Sequence, residues 1–301
     1  MKGLDMKISA FMPITNAVKR GDTFIEAIRT HLYWADELVV VDGGSTDGSL
    51  EKIAELKDPR IRVITRPWSQ DDWSWAEFAK AWNAGLDACT GDWVAAGESD
   101  HIFHENDADR IKEEIWRETM KNRAVIKCQK LQSADVENWQ SKSQMYYFIF
   151  KKKFPQIRYG FDPNEQTDLA HPIWWEGSMF DGIPAGEAIL ESSSKAGYIG
   201  GTGGNLWNYL WTFKTFDMVL QERIKASAGW NRFRGFTEIY GRHFPTDPAE
   251  IREKLIGQIM SVRQKAKRHF PLSMHPRIMQ EKIERELRPE HIGHHLWQPP
   301  Q

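Results

Sequence analysis

Short apolar runs alternate with stretches of helical spacing through the first 130 residues. Lys7–Met12 is apolar, stops at Pro13, and reads as a buried strand. Thr23-Phe24-Ile25-Glu26 has the form of a capping box, and Phe24, Ile28 and Leu32 then recur on one helical face. Glu37–Val41 is a β-branched second strand bounded by Asp42-Gly43-Gly44. Ser45, Thr46 and Asp47 can cap the helix that follows, in which Leu50, Ile53 and Leu56 keep helical spacing. A third strand at Ile61–Thr65 precedes a helix at Glu77–Ala88, where Phe78 and Trp82 share a side and Thr90-Gly91 closes the element. Asp92–Ala96 is a fourth strand, followed by an acidic turn and a helix from Asp107 to Thr119.

This alternation predicts an α/β fold: a mixed, mainly parallel sheet flanked by helices. Ligands in such sheets gather beyond the carboxyl ends of the strands. The chemistry is therefore expected in Pro13–Asn16, Asp42–Thr46, Arg66–Ser69 and Gly97–His101. After residue 120 the pattern changes. Ala124–Gln129 and Met145–Phe150 read as an antiparallel extension of the sheet. Residues 155–204, rich in Gly, Pro and Trp, read as mostly irregular. Helices are expected again from Asn205, most clearly Glu250–Arg268 and Arg277–Leu287, as a C-terminal helical extension.

Composition narrows the classes. The chain has 301 residues and a formal charge of −2, so no global field draws in nucleic acid. Residues 201–301 carry 16 basic and 10 acidic side chains, leaving an acidic body of −8 and a tail of +6. Two cysteines, Cys89 and Cys128, make no framework and point to a reducing, cytoplasmic setting. The residues ahead of the first strand are too few and too polar for a signal peptide, and no apolar run reaches the ~20 residues that span a bilayer. The 14 Trp are the one compositional oddity; indoles concentrate in cores and clefts alike.

Two constellations carry chemistry. Val39-Val40-Val41-Asp42-Gly43-Gly44-Ser45-Thr46-Asp47 delivers Asp42 at a strand end, with glycines for a sharp turn and a helix start beyond. A carboxylate there suits the hydroxyls of a ribose or a base edge and repels phosphate. The glycines do not match G-x-G-x-x-G, which argues against a dinucleotide dehydrogenase. Gly91-Asp92-Trp93-Val94-Ala95-Ala96-Gly97-Glu98-Ser99-Asp100 sets two carboxylates at i and i+2 just past the fourth strand. Hard carboxylate oxygens at that position form half of a Mg²⁺ or Mn²⁺ site, completed by substrate phosphates and water.

The ordered set Ile8–Asn16, Val39–Ser49, Ala81–Val94 and Glu98-Ser99-Asp100 resembles the family 2 glycosyltransferases over roughly residues 6–120. The resemblance implies the GT-A fold, a Rossmann-like sheet that binds a nucleotide-sugar. It implies that Asp42 contacts the nucleoside, commonly uridine, that Pro13 and Thr15 line the base pocket, and that Asp100 is the metal-binding acid of a DxD motif. Glu98 stands at that motif's first acid, one methylene longer than the aspartate of the pattern. On this basis residues 1–120 are the donor-binding half, 121–213 the acceptor-side half, and 214–301 the helical extension.

Inverting members use a carboxylate as general base toward the acceptor hydroxyl while the metal steadies the departing diphosphate. Glu187 is favoured, in a stretch loosely like the family's, with Glu176 and Asp181 next and Asp168 a further candidate. Some relatives carry a metal-binding His about twenty residues beyond the base; the nearest equivalent here is Asn208, a weaker ligand. His101 and His104 offer substitutes, although their plain reading is turn and surface histidines. Trp68, Trp73 and Trp75 occupy a crevice-facing loop, and Trp73 or Trp75 suit stacking on an acceptor sugar; Trp82, Trp93 and Trp116 read as packing residues. The basic amphipathic tail allows peripheral contact with an anionic membrane, and so a lipid-linked acceptor, but a solvated face or a homodimer contact fits its interspersed glutamates better. The expected partners are a nucleotide-sugar and a saccharide, glycan or lipid-linked acceptor. The alternatives are a degenerate member that binds glycan, and a nucleotidyltransferase; Pro13-Ile14-Thr15-Asn16 lacks the glycine-rich basic loop the latter needs.

Overall fold

The computed structural model describes residues 6–68, 75–121, 125–153, 155, 196–199, 205–231 and 244–294. The strands are β1 (Ile8–Ile14), β2 (Glu37–Asp42), β3 (Ile61–Thr65), β4 (Trp93–Ala96), β5 (His101–Ile102), β6 (Val125–Ser133), β7 (Asn138–Ile149), β8 (Ala196–Ile199), β9 (Asn205–Asn208) and β10 (Arg268–His269). The helices are α1 (Phe24–His31), α2 (Ser49–Ala54), α3 (Trp75–Ala88), α4 (Ala108–Met120), α5 (Phe216–Asn231), α6 (Pro248–Lys265) and α7 (Arg277–Glu286). All ten strands join one sheet in the order β3-β2-β1-β4-β7-β6-β9-β5, with β8 beside β6 and β10 beside β7. The β3-β2-β1-β4 half is parallel throughout, the Rossmann-like arrangement that strand-helix alternation predicts. β7 enters antiparallel to β4, and β6 antiparallel to β7.

The central strands are apolar on both faces because both are covered. Ala10, Met12 and Ile14 of β1 pack in one core with Ala27 and Ile28 of α1, Ile111 and Ile115 of α4, and Met279 and Ile283 of α7. On the opposite face Phe11 meets Trp82 of α3 edge-on, ring centres 5.9 Å apart. Gly85 of α3 leaves no room for a Cβ against the Phe11 ring, so helix and strand approach closely there. The C-terminal segment shares this structure. β10 pairs with β7, and the Tyr209 hydroxyl hydrogen-bonds His275 Nδ1 at 2.9 Å. No described helix is long and apolar enough to cross a membrane.

Several boundaries differ from the sequence expectation. β1 runs through Pro13 to Ile14. Its pairing with β4 ends at Phe11, whose carbonyl accepts the Gly97 N–H, so the N–H that Pro13 lacks faces a side with no partner strand. The capping box does not form. Thr23 makes no side-chain cap; its hydroxyl donates to the Ser99 carbonyl at 3.2 Å, while Glu26 pairs with Lys282 of α7 at 3.4 Å. β6 and β7 make a far longer hairpin than expected. The register shift opposite Cys128 and Lys130 places its extra residues in β7, between Lys142 and Tyr146, and the polar run Gln140–Gln144 conceals that strand. β8 and β9 occupy positions read as irregular or helical; each is only four residues long. Trp82 and Trp93 are buried as expected, but Trp116 is 38 % exposed on α4.

Candidate functional site

The carboxyl ends of β1 and β2 are clipped into one surface. Asn16, at a positive φ of 47°, donates its N–H to Ser45 Oγ at 2.9 Å and accepts the Thr46 N–H on Oδ1 at 2.9 Å. Asp47 accepts the Lys19 N–H at 2.7 Å. Asp42 itself is 1 % exposed and accepts the N–H groups of Gly44 at 3.0 Å and Ser45 at 3.1 Å. Its carboxylate thus holds the turn; two N–H bonds leave lone pairs for a further donor. Trp68 lies against Gly43, where a Cβ would collide with the indole, so only glycine allows this approach. Thr15 is buried and Pro13 half-buried beside this turn.

The second cluster begins at Gly97, whose N–H continues the β1 pairing, and turns through Glu98-Ser99-Asp100 into β5. His101 Nε2 lies 3.7 Å from Glu98 Oε2 and 3.9 Å from Asp100 Oδ1. One ligand atom from each of the three lies within 4.8 Å of the others, a spacing a single cation can bridge. Burial, then the neighbouring Glu98 charge, pushes the Asp100 carboxyl up to about 6. Burial, then the Lys130 ammonium, holds His101 well below the ordinary histidine range, so its ring is neutral and ligand-competent. Two crowded carboxylates and a neutral imidazole fit Mn²⁺ or Mg²⁺, whose charge would relieve that crowding. His101 is therefore no surface histidine. His104 is the turn residue expected, accepting the Asn106 N–H.

Strand pairing brings further groups to this cluster. β9 runs antiparallel to β5 with Asn208 opposite His101, and parallel to β6 with Asn208 opposite Gln132. Residues directly opposed across a ladder share a face, so Asn208 stands on the His101 side. Asn208 Nδ2 and Gln132 Oε1 are buried with no hydrogen-bond partner among the described residues. Lys130 Nζ donates to His101 Nε2 at 3.1 Å.

Beneath the turn lies a buried ion network. Ser99 Oγ donates to Asp22 Oδ2 at 2.9 Å, Lys214 Nζ reaches Asp22 Oδ1 at 2.7 Å and Glu222 at 2.8 Å, and Arg20 Nε reaches Asp22 at 3.1 Å. Desolvation works against the Asp22 charge, yet Arg20 and Lys214 hold the carboxyl below the usual aspartate range. Sequence reading missed Lys130, Gln132, Asp22 and Lys214. None sits in a motif, and only the β6–β9–β5 pairing and the chain's return at Lys214 bring them here.

Of the residues singled out from sequence, Pro13, Thr15 and Asp42 gather at the ends of β1 and β2, and Glu98 and Asp100 beyond β4. β1 separates β2 from β4 in the sheet, so the two groups flank one crevice edge. Glu176, Asp181, Glu187, Asp168 and Trp73 lie outside the described residues. Trp75 opens α3, with only its backbone described.

The sequence profile described as Glycosyl transferase family 2 matches residues 9–173. An uncharacterized glycosyltransferase of Haemophilus influenzae is 33% identical over 98 residues, 32% of this chain and 37% of that protein. Glycosyltransferase GlyG of Streptococcus pneumoniae is 31% identical over 110 residues, 36% of this chain and 35% of that protein. The chain thus spans little more than a third of each of these relatives. Among solved structures, S. aureus TarS 1-349 superposes with a TM-score of 0.47 at 15% identity, covering 86% of this chain and 81% of that one. The profile takes in more than half of the chain, from β1 past the acidic turn and β7, and on that ground the chain belongs to glycosyl transferase family 2.

Proposed function

We propose that the chain transfers a sugar from a nucleoside diphosphate donor, with uridine as its base, to a hydroxyl of a saccharide, glycan or lipid-linked acceptor, inverting the anomeric carbon. The observation that carries the reading is the convergence of Glu98, Asp100 and His101 within 4.8 Å beyond β4, on the crevice edge that also carries Asp42. In this reading Asp42 accepts from the ribose or base edge, with Pro13 and Thr15 lining the base pocket. Glu98, Asp100 and His101 hold Mn²⁺ or Mg²⁺, which when bound supplies charge to the departing diphosphate. The bound nucleotide completes the coordination that three protein ligands leave open. A solved mannosyltransferase, PcManGT from Pyrobaculum calidifontis, is described in complex with GDP-Man and Mn²⁺; the same class of donor and ion is proposed here on this chain's own donor set.

The acceptor hydroxyl must lose a proton as the glycosidic bond forms, and Glu187 is the proposed base, with Glu176 and Asp181 as its alternates. Trp73 and Trp75 are proposed to stack on the acceptor. The test is a panel of UDP- and GDP-sugars with Mn²⁺, read by thermal shift and by release of nucleoside diphosphate. A stabilising donor that the Asp100→Asn variant no longer binds supports the reading; no binding and no release with any donor overturns it. A second reading, a glycan-binding module without transfer, draws on Asn208 in place of a histidine. It would show as saccharide binding that ignores nucleotide and metal.

A further inference from the structure

The proposed function seats a divalent cation among Glu98, Asp100 and His101, yet the chain already sends a cation of its own to that seat. Lys130 Nζ lies 3.1 Å from His101 Nε2, the same nitrogen that faces Glu98 Oε2 at 3.7 Å and Asp100 Oδ1 at 3.9 Å. An ammonium has donors only, so the imidazole is the acceptor and Nε2 commits its lone pair to Lys130. The same pair cannot coordinate a metal at that moment. Electrostatics agree with the geometry: the Lys130 charge acts on both Asp100 and His101.

Lys130 arrives here by register. It stands opposite Leu206 of β9, two positions before the Gln132–Asn208–His101 row. Residues two apart on a strand share a face, so Lys130 and Gln132 project to the side of His101. The pairing of β6 with β9 and of β9 with β5 therefore brings a lysine to the acidic turn, a placement no motif records.

We propose that Lys130 is a built-in competitor for the divalent cation: ammonium and metal use one seat, and the metal enters by displacing Lys130 from His101. This rests on the metal-assisted donor reading above and adds a regulator of metal affinity to it. With Lys130 in place the free protein binds the ion weakly. The displaced ammonium lies beside the metal and can pair with a donor phosphate, so nucleotide and metal strengthen each other's binding, a coupling that must be reciprocal.

The test is Mn²⁺ titration of the full chain, read as loss of the free-ion electron paramagnetic resonance signal, without substrate and without turnover. Wild type, Lys130→Met, Lys130→Gln, Lys130→Arg and Asp100→Asn are compared, each checked for folding by circular dichroism. The proposal expects one site lost in Asp100→Asn, at least ten-fold tighter in Lys130→Met and Lys130→Gln, and unchanged in Lys130→Arg. The Gln variant keeps a polar group at the position, so a folding failure of the Met variant still leaves a decisive measurement. An Asp100-dependent site with equal or weaker affinity in the neutral variants overturns the competitor role and leaves the metal reading standing. No Asp100-dependent site in any protein overturns both.

Discussion

Ser99 donates its hydroxyl to Asp22 Oδ2 at 2.9 Å, so the residue between the two site carboxylates is fastened to the loop ahead of α1. Asp22 is in turn held by Lys214, and both side chains are 4 % exposed. Removing one member of a buried pair strands the other charge, at a cost of about 3–5 kcal/mol. Arg20 remains on Asp22 at 3.1 Å, so Lys214→Met should cost less than that full amount, and Asp22→Asn combined with Lys214→Met should cost less than the two single changes summed. Urea unfolding of the four proteins measures the coupling. Additive losses would show that the pair is not an energetic unit.

Gly97 is expected to be intolerant of a methyl group. A Cβ there would sit 2.7 Å from His31 Nε2 and 3.3 Å from the Phe11 carbonyl. His31 cannot step aside: it is buried, with Phe103 edge-on at 5.1 Å and Trp34 at 5.4 Å. The strain must pass into the turn that carries Glu98 and Asp100. Gly97→Ala should cost about 1–3 kcal/mol and weaken Mn²⁺ binding. Gly257, exposed on α6 with nothing within 4 Å of its Cβ position, is the control; Gly257→Ala should stabilise by up to about 1 kcal/mol. Equal melting shifts for the two variants would contradict the packing argument.

β1, β2 and β4 were legible because they are covered on both faces and read as apolar runs bounded by turn residues. Asp42, Glu98 and Asp100 were legible for the same reason: they follow strands whose ends were plain. What failed was non-local. Thr23 had every mark of a helix cap, but the acidic turn 76 residues away offered its hydroxyl a carbonyl, and tertiary contact won. His101 looked like a turn residue because β5 is only two residues long and exists through pairing with β9. Lys130 was hidden because only the pairing of β6 with β9, and of β9 with β5, brings it to the acidic turn.

Stability should fall as the solution is acidified from about pH 6 to 4. Burial lowers His31 and His275 to about 4, and burial and then Lys130 lower His101 well below its usual value. Near pH 5 all three are mostly neutral when folded and take protons on unfolding. Asp100 opposes them: raised to about 6, it binds its proton more tightly in the folded state and regains stability below that pH. Near pH 5 these three protons gained on unfolding against one lost leave a net of two, a slope of about 2–3 kcal/mol per pH unit, to which His291, also lowered by burial, adds in the same direction. Urea midpoints across this range measure it. His31→Gln should remove about one proton from the slope; a flat profile in the wild type would mean that these histidines are not held neutral.

Asn208 offers the most direct handle on metal affinity from the far side of the site. It stands opposite His101 across β5 and β9, with its Nδ2 lacking a partner among the described residues. An amide oxygen is a poorer ligand than an imidazole nitrogen for a first-row divalent ion. Replacing Asn208 with histidine adds such a nitrogen on the face that already carries Nε2 of His101. Asn208→His should tighten Mn²⁺ binding several-fold and widen the preference for Mn²⁺ over Mg²⁺, since oxygen-seeking Mg²⁺ gains little from imidazole. Asn208→Ala should leave Mn²⁺ affinity within about two-fold of wild type, as expected of a weak ligand. Isothermal titration with each ion decides between the outcomes. An unchanged affinity in Asn208→His, with the fold intact, would place that side chain beyond reach of the cation and leave Glu98, Asp100 and His101 as its protein ligands.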